Sequence, residues 1–183
     1  MKEYKILFSG TPGAGKTTAI GAVSEIPPVV TDVPNTDPGY AKAYTTVGLD
    51  YGQLTLDTGD CLRLFGTPGQ ARFDFLWRIL GRNALGLIIL LDNSRPNPLA
   101  DLEIYINGFG EALRSMPCVI GVGRHDQGNT ALDDYGLWLM ERNMILPVLP
   151  VDVRRRSDVV LLIDVLLAEL EFHIRKGECR HVE

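Results

Sequence analysis

Residues 10–17 have the residue types and the spacing that bind phosphate. Gly10, Gly15, Lys16 and Thr17 fill the fixed positions of the pattern G-x-x-x-x-G-K-[ST]. In that pattern backbone N–H groups surround a phosphate, the lysine reaches the outer phosphates, and the hydroxyl binds Mg²⁺. Glycines permit the tight curvature because they have no Cβ. The pattern predicts a bound nucleoside diphosphate or triphosphate, and residues 10–17 are called the phosphate loop below.

The segments on either side of the phosphate loop suit this chemistry. The apolar run from Tyr4 to Phe8 predicts a buried strand, and residues 18–23 predict a continuing helix. A helix that begins at the loop directs the positive end of its dipole at the same anion. We expect this segment to contact the nucleotide through Gly13, Ala14, Gly15, Lys16, Thr17 and Thr18. Lys16 would also be a catalytic group, and Thr17 would also be a Mg²⁺ ligand.

Length and composition limit the class of protein. A chain of 183 residues that is 45% hydrophobic predicts one domain, residues 1–183, with a full core. The net charge of −5 argues against a nucleic-acid-binding surface, which would need a basic stripe. Three cysteines without metal spacing indicate a reducing compartment. Because Lys2 stands where myristoylation needs Gly and no apolar run could span a bilayer, we expect a cytoplasmic protein without a transmembrane segment or lipid anchor.

Strand-like and helix-like segments alternate along the chain, which predicts an α/β fold with a mostly parallel sheet covered on both faces. Residues 26–45, rich in Pro, Thr, Asp and Gly, predict a long functional loop. The pattern then predicts a hairpin from strands 46–56 and 61–65. Further strands are expected at 84–91, 118–122 and 145–151, and helices after Asn97, over 130–142 and from Ser157.

A second candidate group follows the hairpin. Gly66-Thr67-Pro68-Gly69-Gln70 stands where a strand ends, before an aromatic-rich helix. Gly69 is suited to offer its backbone N–H to a γ-phosphate at close range. Gln70 has the side chain that orients an attacking water in GTP-hydrolysing switches. Residues 67–70, called the Gly-Gln turn below, therefore predict a segment that senses the nucleotide.

With these two loops the chain resembles the Ras-like small GTPases over nearly its whole length. The run Gly-Thr-Pro-Gly-Gln-x-Arg-Phe most resembles a bacterial branch related to the gliding-motility GTPase, whose members work with roadblock-type partner proteins. The resemblance implies a Ras-like three-layer sandwich with a six-stranded, mostly parallel sheet and one antiparallel strand. It also implies a GTP/GDP switch with Mg²⁺ as cofactor, a roadblock-type regulator and an undefined effector. Thr46 would be the second Mg²⁺ ligand, with Thr45 as the alternative.

The same resemblance implies guanine recognition by residues 123–126, called the base loop below. Asp126 would accept hydrogen bonds from the guanine N1–H and amino group, and Arg124 would lie over the base. Gly123 stands where the family usually has Asn, so the motif is partial. Val153 would offer its backbone N–H to guanine O6, and Arg154 would pack on the purine.

Two departures from the Ras-like pattern bear on hydrolysis. Gly66 stands where Ras-like proteins usually have the Asp that holds a Mg²⁺ water, and Pro12 replaces a glycine of the phosphate loop. The lost carboxylate and the crowded loop favour slow, partner-assisted hydrolysis. Arg72 is the nearest internal arginine that could offset transition-state charge, and contact with a partner is its alternative role.

Two other functions stay open from the sequence. The first is a nucleotide-loaded scaffold that no longer hydrolyses, which Gly66, Pro12 and the partial base motif favour. The second is a small P-loop kinase, in which Arg154, Arg155 and Arg156 would belong to a mobile lid. A kinase would leave the Gly-Gln turn unexplained.

Overall fold

The chain folds around a six-stranded sheet. The structure, a computed structural model, describes residues 2–29, 32–34, 44–46 and 49–175, with the side chains of all of these except 32–34, 44–46 and 175. The strands of the sheet are β1 (Glu3–Gly10), β4 (Asp50–Thr55), β5 (Cys61–Gly66), β6 (Gly86–Asp92), β7 (Cys118–Gly123) and β8 (Val148–Pro150). Two short strands, β2 (Asp32–Pro34) and β3 (Tyr44–Thr46), pair separately with each other.

The spatial order of the main sheet is β4-β5-β1-β6-β7-β8. Strands β4 and β5 pair antiparallel as a hairpin, and every other neighbouring pair is parallel. Parallel neighbours need long crossover connections, which helices provide here. The predicted α/β P-loop fold, with a six-stranded sheet and one antiparallel strand, is confirmed.

Helices cover both faces of the sheet and make three layers. Helices α1 (Lys16–Val23) and α5 (Arg156–Arg175) lie on one face, and α2 (Asp74–Gly81), α3 (Pro98–Phe109) and α4 (Leu132–Met140) on the other. The alternation of side chains along a strand divides the core accordingly. In β1, Ile6 and Phe8 join the core under α1 and α5, whereas Leu7 joins the core under α2, α3 and α4.

Helix α5 is 20 residues long and amphipathic. Its buried side chains, spaced three and four residues apart, face the sheet: Val159, Leu162, Ile163 and Leu166. Its other faces carry charged residues at several positions. In the described part of the chain, no helix has both the length and the apolar surface needed to cross a membrane.

The elements differ from the sequence predictions mainly at their ends. The first strand of the hairpin begins at Asp50, whereas Thr46 belongs to β3 and pairs with Asp32 outside the main sheet. The last strand is limited to Val148–Pro150, and α5 begins at Arg156 rather than Ser157. Of the predicted loop 26–45, residues 30, 31 and 35–43 lie outside the described residues.

The topology brings the candidate residues to one edge of the sheet. Because β1, β5, β6, β7 and β8 run in the same direction, the loops that follow them open at the same edge. These loops are the phosphate loop, the Gly-Gln turn, the segment after Asp92, the base loop and the segment after Pro150. Ligands of open α/β sheets bind at this carboxyl edge.

Candidate nucleotide-binding site

The phosphate loop has the backbone shape that its glycines predict. Gly10, Gly13 and Gly15 have φ angles of 134°, 82° and 91°, a region that L side chains rarely adopt. A Cβ on Gly10 would lie 1.9 Å from the carbonyl oxygen of Leu90 in the neighbouring strand β6. A Cβ on Gly13 would instead point into open space. The loop is therefore packed tightly at its base and open where it turns.

Helix α1 presents its N-terminus directly to the loop. Gly15 precedes the helix without a side chain to cap it, and the first turn contains no acidic residue. Ala19 N donates a hydrogen bond to Gly15 O at 2.8 Å, which closes the first turn of the helix. The N–H groups at the start of a helix lack intrahelical partners, so this end attracts an anion.

The ammonium group of Lys16 lies across the phosphate loop. Its Nζ donates to the carbonyl oxygens of Gly10, at 2.7 Å, and Thr11, at 2.9 Å. The side chain is buried, with 8% of its surface exposed. These bonds hold a positive charge inside the loop, beside the helix N-terminus, where a phosphate would be bound.

Thr17 makes a contact that sequence reasoning missed. Its hydroxyl donates a 2.6 Å hydrogen bond to Oδ2 of Asp50, the first residue of β4. Asp50 is buried, with 1% of its surface exposed, and pairs in register with Gly66 of β5. The sequence predicts that Gly66 leaves this site without a carboxylate, and the structure differs because the neighbouring strand supplies one.

The register of the hairpin could have revealed Asp50. The turn between Leu56 and Asp60 pairs Thr55 with Cys61, and counting outward along both strands pairs Asp50 with Gly66. Cross-strand neighbours of this kind share a face and lie close together.

The Gly-Gln turn lies against the phosphate loop. A Cβ on Gly69 would be 2.7 Å from Pro12 N, 2.8 Å from Gly10 O and 2.9 Å from Lys16 Nζ. Only a glycine therefore fits at this closeness without displacing backbone or the lysine. Gln70 follows it and is buried, with 4% of its surface exposed.

Aromatic side chains hold the Gly-Gln turn from the opposite side. Trp77 of α2 donates from Nε1 to Pro68 O at 2.8 Å, and Tyr105 of α3 donates from its hydroxyl to Gly69 O at 2.6 Å. The two rings pack together with centroids 4.8 Å apart. The position of the turn is thus coupled to the packing between α2 and α3.

The base loop reaches the phosphate loop through Arg124. This residue has a positive φ of 51°, and its Nη1 approaches Gly13 O at 3.5 Å. The same nitrogen forms an ion pair with Asp92 at the end of β6. Asp126 is exposed at the carboxyl edge of the sheet. The structure therefore brings Arg124 to the predicted site. The Asp126 carboxylate, two residues further along the chain, is accessible to solvent.

The side chain of Asn93 holds the base loop in place through hydrogen bonds. The buried side chain of Asn93 donates to the carbonyl oxygens of His125, at 3.2 Å, and Thr130, at 3.0 Å. Its Oδ1 accepts from the Tyr135 hydroxyl at 2.6 Å. Burial, with the nearby carboxylates of Asp101, Asp92 and Asp134 as smaller causes, raises the pKa of Tyr135 to about 12.

Val153 joins the loop after β8 to the phosphate loop. A Cβ added to Gly15 would lie only 2.6 Å from Val153 Cγ2, so the two residues are closely packed. Arg154 binds the carboxylate of Asp152 through both Nε and Nη2, at 2.8 Å each, and its side chain is largely exposed. The hydrogen bonds from Arg154 hold the pKa of Asp152 well below its usual range.

Arg156 has a structural role. It donates to the carbonyl oxygens of Ala22, at 3.3 Å, and Val23, at 2.9 Å, at the end of α1. A side chain that caps a helix C-terminus stabilises it. This contact disfavours a mobile lid built from the arginine run.

Three more of the predicted site residues lie in α1, in the turn before α2 and in β3. Thr18 is exposed on the first turn of α1. Arg72 is exposed in a short 3-10 turn, with its guanidinium 5.0 Å from the centre of the Phe73 ring. Thr46 lies in β3, but its side chain, like that of Thr45, is outside the described residues.

The oxygen atoms of Thr17 and Asp50 fit a magnesium ion. Mg²⁺ prefers oxygen ligands, keeps several waters, and is bound in nucleotide sites by few protein groups together with the phosphates. A partly buried hydroxyl and a buried carboxylate next to the phosphate loop supply that chemistry. Across the described residues, no cluster of three or more His, Cys, Asp or Glu forms a metal site of the all-protein kind.

Comparison with known proteins finds GTPases among the proteins that are similar to this chain. The chain is 30% identical to the GTPase Obg of Gloeothece citriformis over 140 residues, which cover 68% of this chain and 38% of that protein. It is 27% identical to the GTPase Obg of Prochlorococcus marinus over 189 residues, which cover 92% of this chain and 53% of that protein. These similarities support a relationship of this chain to the GTPase superfamily in general. The chain thus spans about half the length, or less, of these two relatives.

The chain is also similar to an archaeal protein. It is an uncharacterized protein of Methanocaldococcus jannaschii, 31% identical over 103 residues, which cover 56% of this chain and 59% of that protein. No protein-family model matches the chain.

Proposed function

We propose that residues 1–183 form one GTP-binding domain that acts as a GTP/GDP switch. The observation that carries this proposal is the close approach of Gly69 to Lys16 and Pro12. A γ-phosphate beside Lys16 would touch both the phosphate loop and the Gly-Gln turn, so its presence or loss would change how the turn is held. The similarity to two GTPases supports the choice of guanine nucleotide.

In this proposal each group at the phosphate end has a distinct task. Lys16 and the N-terminus of α1 bind the phosphates, and Gly69 offers its backbone N–H to the γ-phosphate. Gln70 orients the attacking water. Mg²⁺ neutralises phosphate charge when it is bound, and Thr17 would hold it, with Thr46 as the second ligand.

Guanine selectivity is assigned to Asp126. A carboxylate accepts from both the N1–H and the amino group of guanine, whereas adenine offers no such pair of donors. Arg124 and Arg154 would line the base, and Val153 would offer its backbone N–H. The contact between Arg124 and Gly13 O supports this arrangement because it holds the base loop next to the phosphate loop.

The proposal extends to a partner that raises a slow rate of hydrolysis. Helix α2 follows the Gly-Gln turn after the short 3-10 turn Ala71–Phe73. Its Phe75 and Ile79 are 53% and 55% exposed, one helical turn apart. An apolar surface of this kind suits a protein partner. The resemblance to the gliding-motility branch makes a roadblock-type protein the expected regulator, with Arg72 at the contact or at the transition state.

Competition with a fluorescent GDP tests base selectivity. We expect GTP and GDP to displace the probe, and ATP and ADP to fail at the same concentrations. Asp126→Ala removes this preference, whereas His125→Ala, an exposed neighbour in the same loop, retains it. Equal displacement by adenine nucleotides from the unaltered protein would contradict the proposal.

Single-turnover release of phosphate from GTP tests the enzymatic part. We expect slow release from the chain alone and faster release with a roadblock-type protein. No release in either case would replace the switch by a nucleotide-loaded scaffold. Transfer of phosphate to a small acceptor at the rate of bulk turnover would indicate a kinase.

A further inference from the structure

We propose that Asp50 is the carboxylate of the magnesium site, supplied from β4 in place of the residue at position 66. This inference rests on the proposed nucleotide function and names a residue of the same site. It follows from the position of the Asp50 side chain, which reaches the Thr17 hydroxyl at the start of α1.

Asp50 occupies the volume that a side chain at position 66 would need. The two residues pair directly in the antiparallel hairpin. A Cβ added to Gly66 would be 2.9 Å from Asp50 Cβ and 3.0 Å from Asp50 Oδ2. A carboxylate therefore fits on β4 or on β5, but both do not fit together. Glycine at position 66 is what gives Asp50 its room.

The hydrogen bond prepares Thr17 to bind a metal ion. A hydroxyl has one donor and two acceptor lone pairs. Because Thr17 donates its proton to Asp50 Oδ2 at 2.6 Å, its oxygen lone pairs are directed elsewhere. Partners of this kind orient metal ligands and raise their basicity. Asp50 thus adds negative charge and fixes the Thr17 oxygen in one orientation.

A purely structural role for Asp50 makes a different prediction. In that case its carboxylate only fastens β4 to α1 through Thr17, and any acceptor of the same shape would serve. Asp50→Asn separates the two roles, because the amide oxygen still accepts from Thr17 but the negative charge is gone. A structural role predicts unchanged metal dependence in this variant.

The experiment is a titration of fluorescent GDP over a range of Mg²⁺ concentrations. The readouts are the Mg²⁺ concentration that gives half of the affinity gain and the rate of GDP release in EDTA. For Asp50→Asn we expect the Mg²⁺ requirement to rise about 10- to 100-fold, the usual cost of losing such a group. Asp57→Asn, which removes an exposed carboxylate from the same hairpin, is the matched control and should leave the Mg²⁺ requirement unchanged.

The double variant Asp50→Gly/Gly66→Asp moves the carboxylate to the opposite strand. Once Asp50 is removed, the nearest remaining atom to the new Cβ is Ile20 Cδ1, at 3.2 Å, the end of a flexible side chain. We expect the double variant to recover most of the Mg²⁺ affinity that Asp50→Gly loses. Gly66→Asp alone should lower the thermal midpoint, because the two side chains overlap.

The outcomes separate the two proposals. If the unaltered protein binds GDP with a Mg²⁺ requirement that Asp50→Asn does not change, the role of Asp50 is overturned and the switch proposal stands. If the unaltered protein binds no guanine nucleotide, both are overturned. A raised Mg²⁺ requirement in Asp50→Asn, with a thermal midpoint like that of Asp57→Asn, supports the inference.

Discussion

Gln70 combines a polar side chain with a buried position next to the phosphate loop. Only 4% of its surface is exposed, and the neighbouring Gly69 lies against Lys16. A glutamine held in this way suits the orientation of one water molecule rather than the binding of the nucleotide. In the proposed switch, we therefore assign Gln70 to turnover.

We expect Gln70→Ala to separate binding from hydrolysis. Single-turnover phosphate release should fall about 100-fold or more, the scale of a lost proton-transfer or positioning group. The affinity for GDP should stay within the range of the unaltered protein, because GDP lacks the γ-phosphate. Gln127→Ala, at an exposed position after the base loop, is the control. Equal hydrolysis by Gln70→Ala and the control would remove Gln70 from the mechanism.

At the residue scale, the sequence predicted what is local and missed what depends on pairing. Lys16 and Thr17 follow from one continuous motif, whose backbone shape depends on nearby glycines. Asp50 lies far from that motif in sequence and meets Thr17 only because the hairpin pairs it with Gly66. Residues built by one segment were therefore predicted from the motif, whereas Asp50 required the pairing of two strands to be counted outward from the hairpin turn.

At the scale of elements, the Gly-Gln turn is held between two layers. The phosphate loop contacts Gly69 on one side, and Tyr105 binds its carbonyl oxygen on the other. We therefore expect a change in the fit of Gly69 to be transmitted to α2 and α3, which bind the carbonyl oxygens of Pro68 and Gly69.

Gly69→Ala tests this coupling. Its added methyl group would meet Pro12 N at 2.7 Å and Lys16 Nζ at 2.9 Å, so the turn must move away from the phosphate loop. We expect weaker binding of GTP than of GDP relative to the unaltered protein, and a lower thermal midpoint. Gly136→Ala in α4 is the control, because nothing lies within 4 Å of its added Cβ. Such a helical Gly→Ala change stabilises by roughly 0.5–1 kcal/mol. An unchanged ratio of GTP to GDP affinity would contradict the coupling.

The elements themselves could largely be predicted from the sequence. Continuous apolar runs such as Leu87–Leu91 predict buried parallel strands. Asn97 marks the start of α3, where its Oδ1 accepts from Ala100 N at 3.2 Å. The boundary near Thr46 could not be predicted. Residues 44–46 and 50–55 both suit strands, but only the second pairs with the main sheet.

At the scale of the whole molecule, buried ionisable groups connect stability to pH. Burial raises the pKa of Tyr135 to about 12 and also raises the pKa of the Cys118 thiol. Both groups are therefore neutral in the folded protein at a pH where the unfolded chain has begun to lose those protons. The unfolded state then binds fewer protons, so the free energy of unfolding falls as pH rises.

We expect this loss of stability between about pH 10 and 12 for Tyr135, with Cys118 contributing from about pH 9. For one proton the slope approaches about 1.4 kcal/mol per pH unit. Urea unfolding at a series of alkaline pH values measures it. Tyr135→Phe should show a flatter slope, apart from any constant loss caused by removing the hydrogen bond to Asn93. Parallel curves for the two proteins would show that Tyr135 is not the group responsible.

Calorimetric titration with GDP and ADP in the presence of Mg²⁺ tests the central claim most directly. We predict one GDP per chain and binding of ADP at least about tenfold weaker. Lys16→Ala should weaken GDP binding at least about tenfold, since hydrogen bonds to charged groups contribute about 1.5–3 kcal/mol. Lys2→Ala, at an exposed position, should bind GDP like the unaltered protein. Absence of GDP binding, or equal binding of ADP, would contradict the account.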